Sequence, residues 1–190
     1  MDDNGMSFQE IAESEPLTTA QEEELLSLGL KHASAALDAY EAATTDEEAF
    51  YEVPTAICAA YLGADHARAS RLADRALELA ASRTDSWNYA NAVHAAHTAK
   101  GLEAVAAGDI AQAEHHLLNS ARHSGSPQLN TFGPSMRLAR ELLRHGSTDV
   151  VLHYLDLCKR FWSSGAAWLA IWEPKVRKGE VPVFFMHGFR

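Results

Sequence analysis

The sequence predicts an all-α fold of antiparallel helical hairpins, about seven or eight helices in a short stack. Three observations predict it. Alanine and leucine are abundant and β-branched runs are few, which favours helix over strand. Residues Asp85 to His123 read as a helix, a Gly-Asp turn and a second helix folded back on the first. Two further stretches echo this plan at offsets of 38 and 44 residues, a range of periods typical of stacked helix pairs.

The first helix should begin at Thr18 or Thr19. Thr19 and Glu22 have capping-box spacing, and Glu22, Glu23 and Glu24 suit a helix N-terminus. Leu26, Leu30, Ala33, Leu37 and Tyr40 then share a face, with Gly29 as a weak point or a place of close packing. Asp46 caps the second helix, whose apolar face is Phe50, Val53, Ile57 and Tyr61. Pro54 removes a backbone donor within it, so a kink or a restart is expected. The third helix follows Gly63-Ala64-Asp65 and buries Ala69, Leu72, Ala76 and Leu79.

The fourth helix begins after Thr84-Asp85 and runs to about Ala107, with Gly101 as a small residue for close helix approach. Gly108 ends it through the left-handed conformation, and Asp109 caps the fifth helix, which runs to about Arg122. Residues 124–130 read as a loop, and Pro134 suits a first helical position. Phe132, Met136, Ala139 and Leu143 stripe the sixth helix. Ser147 or Thr148 caps the seventh, where Val150, Val151, Tyr154, Leu155, Cys158, Phe161 and Trp162 recur with the clearest helical period in the chain. Ser163 or Ser164 opens a last helix carrying Trp168, Ile171 and Trp172, which Pro174 disturbs or ends. Val181, Val183, Phe184, Phe185 and Met186 are too apolar for a free tail and are expected to cover the open end of the stack.

The hairpin units align on small and apolar residues. At an offset of 38, Gly146 corresponds to Gly108, Ala139 to Gly101, Val151 to Ala113 and Leu155 to Leu117. At 44, Asp65 corresponds to Asp109 and Ala69 to Ala113. With Gly101, Gly108, Ala113 and Leu117 in place and Pro127 just beyond, the region 50–162 resembles the tetratricopeptide repeat family. It departs from that pattern at His97 and Ala104, where the family has aromatic or larger residues, and its offsets exceed the family's 34. The resemblance implies a short right-handed superhelix. It also implies a concave face that binds peptides or proteins, lined by the first helix of each pair.

Charge divides the chain. Residues 1–52 hold fourteen acids and one base, a net of −13, and residues 53–190 carry a net of +3. The domain plan is an acidic flexible leader over 1–16, a helical-repeat domain over 17–175 and an apolar tail over 176–190 packed on it. The leader is either a solvated segment or an arm that docks on basic patches of the body. An overall net charge of −10 argues against non-specific nucleic-acid binding. No apolar run is long enough to span a membrane, and the N-terminus lacks a secretory h-region, so the expected place is a bacterial-type cytoplasm. Cys58 and Cys158 lie in apolar helical patterns and read as buried thiols of a reducing compartment.

Asn88, Asn91, His94 and Thr98 form a polar row on the long helix, and asparagine is not placed there for helix propensity. By the resemblance, Asn88, Asn91 and His94 line a partner groove. Arg137, Arg140 and Arg144, at spacings of three and four, suit an acidic peptide, a carboxylate terminus or the protein's own leader. The leading expectation is a non-catalytic protein- or peptide-binding module, adaptor or regulatory, that needs no cofactor. A second is a helical-bundle enzyme or metal-binding protein using His94, His97 and a histidine of the following helix such as His115, with a carboxylate from Glu103 or Glu114. Their spacing matches neither the His-Glu-x-x-His nor the Glu-x-x-His pattern. No phosphate loop, nucleophile elbow or Cys-x-x-Cys occurs. A third is a self-associating homo-oligomer joined through the aromatic C-terminus.

Overall fold

Side-chain caps set where most helices begin, and the chain is all-α. The structure, a computed structural model, describes residues 6–14 and 17–189; the rest of the expected leader lies outside them. The helices are α1 (Phe8–Ala12), α2 (Thr19–Leu30), α3 (Ala33–Glu41), α4 (Asp46–Leu62), α5 (His66–Ala80), α6 (Tyr89–Ala106), α7 (Ile110–Asn119), α8 (Pro127–Phe132), α9 (Arg137–Arg144), α10 (Thr148–Cys158) and α11 (Ala166–Arg177). No strand occurs among the described residues. No helix there is long and apolar enough to cross a membrane.

More helices form than the seven or eight expected. The first expected helix is two, because the chain breaks at Lys31-His32 between α2 and α3. The expected loop at 124–130 instead starts a short helix, because Ser126 accepts from the Leu129 N–H and Pro127 fits the first turn. Within the leader expected to be flexible, Phe8–Ala12 form α1, whose capping box pairs Ser7 with Glu10. Other caps shift by one residue: Thr18 with Gln21 opens α2, and Thr45 with Glu48 opens α4.

Three hairpins carry the body: α4–α5, α6–α7 and α9–α10. Their first helices form a row, α4 on α6 and α6 on α9, with α5 packed against α4 and α6, and α7 against α6, α9 and α10. Asp65 and Asp109 accept from the N–H groups three residues on, each at 3.0 Å, and open α5 and α7 alike. The preceding residue is left-handed at all three turns: Ala64 at φ 59°, Gly108 at 78° and Gly146 at 85°. Alanine at the first turn costs about 1 kcal/mol that glycine avoids.

The seam between the hairpins is made of small residues. On α6, Ala92, Ala96 and Ala99 are buried, and a Cβ on Gly101 would overlap a Leu138 methyl and come within 3.2 Å of the His116 Cβ. Ala139, the counterpart of Gly101 on α9, has no exposed surface. Small side chains let backbones approach, and close packing at that distance is what holds the row together.

The tail covers the far end of the stack. Phe184 is fully buried at φ 57°, a strained conformation held by packing against Trp172. The His187 carbonyl accepts from the Met136 N–H at 2.8 Å, which ties the tail to the start of α9. The segment carrying α1 joins this end as well. Glu13 is buried, and its Oε2 accepts from the Val183 N–H at 2.9 Å and lies 3.8 Å from Lys175 Nζ. Burial pushes the Glu13 carboxyl above the usual range, while the Trp172 indole and Lys175 act against that shift.

Pro54 lies inside α4, and the helix runs through it without a restart. Proline has no N–H for the carbonyl four residues back, that of Phe50. Asn88 supplies the missing donor: its Nδ2 donates to the Phe50 carbonyl at 2.7 Å, in a buried setting. Asn88→Ala therefore leaves a buried carbonyl unpaired and costs about 1–3 kcal/mol. In a Pro54→Ala background the helix supplies its own N–H, and the same substitution costs less; a double-mutant cycle by urea unfolding measures the difference.

Candidate functional site

The row of first helices encloses a cleft. Ile57, Cys58 and Tyr61 come from α4, His94, Ala95, Thr98, Ala99 and Leu102 from α6, and Ser135 and Arg137 from the start of α9; the volume is about 50 Å³. The helical period places these side chains on one side, since 57, 58 and 61, and 95, 98, 99 and 102, are spaced by one, three and four. The walls are mainly hydrocarbon. The one formal charge among them is Arg137, whose guanidinium lies 4.6 Å from the centre of the Tyr61 ring.

Arg137 is half-buried, and among the described residues no carboxylate stands within ion-pair distance of it. The nearest acid on its own helix, Glu141, is engaged by Arg144 at 2.8 Å. Burial pulls the Arg137 pKa down from its ordinary value, with Tyr61 opposing. Burial raises the Tyr61 hydroxyl in turn, and Arg137 opposes that shift. A cation partly stripped of water over an aromatic face, with its outer edge toward an apolar cleft, attracts an anion more strongly than a solvated one does.

The expected polar row is internal. Asn88 is spent on the Phe50 carbonyl, and its own Oδ1 accepts from Asn91 Nδ2 at 2.8 Å. Asn91 Oδ1 accepts from the Ser126 hydroxyl at 2.6 Å, so the pair ties α4, α6 and the start of α8 together. His94 is buried with both ring nitrogens engaged: Nδ1–H donates to the Ser120 carbonyl and Nε2 accepts from the Ser135 N–H, each at 2.9 Å. Of these three residues His94 alone lines the cleft. Burial, then the nearby His123, holds the His94 ring down at about 4, so it is neutral at pH 7.

The arginines do not act as one patch. Arg137 faces the cleft, while Arg140 and Arg144 line a recess with Glu22 of α2 and residues Val181 to Val183 of the tail. The histidines regroup too. His97 pairs with His116 through their Nδ1 atoms, 2.9 Å apart, and Gln112 Nε2 stands 3.2 Å from His116 Nε2. An amide N–H donated to Nε2 leaves His116 to donate its Nδ1–H to His97. Burial and His116 lower His97 to about 4. His115 is exposed, with its Nε2 against Asn119. The set His94, His97 and His115 is therefore not assembled, and the described residues offer no group of three or more potential metal ligands.

Cys158 is buried in the core, where burial pushes its thiol pKa up, and Cys58 is half-buried in the cleft; neither forms a disulfide. Sequence reading overlooked Tyr61, Cys58 and Ser135 as site residues. Tyr61 was legible only as the end of an apolar stripe. Its pairing with Arg137 depends on how α9 docks.

The neutral His94 makes stability depend on pH. Its folded pKa of about 4 lies below the ordinary 6.5, so the unfolded chain binds the proton more tightly. Stability is complete above pH 6.5 and falls as the pH drops toward 4, by roughly 3 kcal/mol from this residue. Urea unfolding at a series of pH values should show a shallower decline for His94→Gln than for the wild type. No protein-family model matches the sequence, and no curated protein or solved structure is similar enough to count as a match.

Proposed function

We propose that the protein is a non-catalytic protein- or peptide-binding module of tetratricopeptide-like type, adaptor or regulatory, working in the cytoplasm. The cleft on the α4–α6–α9 face is its recognition site, and Arg137 is the group that selects an acidic side chain on the partner. One observation carries this reading: a half-buried guanidinium in an apolar cleft, stacked on Tyr61 and without a carboxylate partner among the described residues. The successive first helices support it, since they form one continuous face in the manner of stacked hairpins. Thr98 gives the cleft a hydroxyl beside its hydrocarbon walls.

A second reading, self-association through the C-terminal aromatic region, has support from the rim of that end. Phe8, Phe132 and Met186 stay exposed around Trp162, Trp168 and Phe185.

A peptide array of acidic, neutral and basic sequences tests the leading reading. Acidic peptides should bind the wild type best, and Arg137→Gln should weaken them at least tenfold, about 1.4 kcal/mol. Equal binding by wild type and variant, or a preference for basic peptides, contradicts the assignment.

A further inference from the structure

The helix α2 touches α4 and the tail, and its Glu22 shares a recess with Arg140 and Arg144 of α9, so it links the two outer helices of the row. Its neighbours in sequence fix this path: α1 docks on α11 at one end of the stack, and α3 packs on α4 at the other. The segment between therefore reaches from the tail to α4. Twelve helical residues reach about 18 Å, close to two helix-to-helix spacings of 8–10 Å. The contacts agree. Glu22 sits beside Arg140 at the start, and Gly29 meets a Leu62 methyl at the end.

The hold is slight. Glu22, Leu25, Leu26 and Gly29 are half-buried at spacings of three and four, so one face looks inward, yet no residue of α2 is fully buried. Leu28 and Leu30 are 57% and 43% exposed. A recess of about 210 Å³ remains between Glu22, Arg140, Arg144 and the tail. By contrast, α6 buries most of its length. Regions with few buried apolar contacts open at low free-energy cost.

We propose that α2 is an internal occupant of the binding face, and that the partner is an acidic amphipathic helix which takes its place. This rests on the reading of the α4–α6–α9 face as the recognition surface. The chemistry of the partner follows from that of α2: acids in the first turn to meet Arg140 and Arg144, then leucines three and four residues on. Glu22, the one of the three glutamates on the inward face, supplies the charge that the basic side of α9 complements.

The test uses a fluorescent synthetic peptide of residues 17–31 and the full-length chain. In the Leu25→Ser, Leu26→Ser chain the internal helix is weakened, and the peptide should bind at least tenfold more tightly than to the wild type. Adding Arg140→Gln and Arg144→Gln should remove that gain, and a scrambled peptide should not bind. In the wild type, excess peptide should speed hydrogen exchange of α2 amides and leave α6 unchanged, which holds even if the variant folds poorly. Failure of both measurements overturns the proposal. So does dimerisation of the variant in place of peptide binding, which would give the face to a second copy. The Arg137→Gln array reports on the cleft alone, so the two readings fail separately.

Discussion

The approach of α6 to its neighbours is the constraint on which the rest of the architecture depends. Six buried alanines and Gly101 keep much of this helix's surface small, so α4, α5, α7 and α9 all reach it. Dispersion between close-packed atoms falls off steeply with distance, so a seam built of small side chains holds only at short range. The cleft is a consequence of that geometry. Between α4, α6 and α9, Tyr61 and Arg137 meet beside it.

Polar groups in the interior then lock the arrangement. His94 spans from Ser120 to Ser135, two carbonyl and amide groups on different segments, and has no spare nitrogen. Asn88 repairs a carbonyl that Pro54 leaves open. Buried hydrogen bonds of this kind add modest stability each, but breaking one leaves an expensive orphan. They therefore fix register between hairpins more than they add net energy. The same economy explains why the polar row on α6 is not a free binding surface.

Much of the fold was legible in the sequence because helices and turns are local. Gly108-Asp109 and Gly146 mark turns by their own chemistry, and the stripe Val151, Tyr154, Leu155, Cys158 follows from a 3.6-residue period. The apolar tail could not remain in water, and Phe184 is buried as its composition demands. What local signals missed was partner choice at long range. Asn88 and Asn91 looked like ligand-facing residues because nothing in the sequence shows that Asn88 would meet Phe50. The arginine stripe looked like one patch because spacing alone hides that Arg137 turns to Tyr61 while Arg140 lines the recess beside the tail. The break at Lys31-His32 was hidden because no punctuating residue marks it, whereas Ser126-Pro127 carries a cap and a first-turn proline that reads equally as a loop signal.

The seam is tested most directly at Gly101. Alanine has a higher helix propensity than glycine by about 1 kcal/mol, so at an unhindered helical position Gly101→Ala would stabilise the protein. In a seam already in contact with Leu138 and His116, the added methyl costs about 1–3 kcal/mol instead. Urea unfolding of Gly101→Ala should therefore show a lower midpoint with an unchanged slope. A midpoint equal to or above that of the wild type would mean that α6 is not closely packed at Gly101 and would contradict the account.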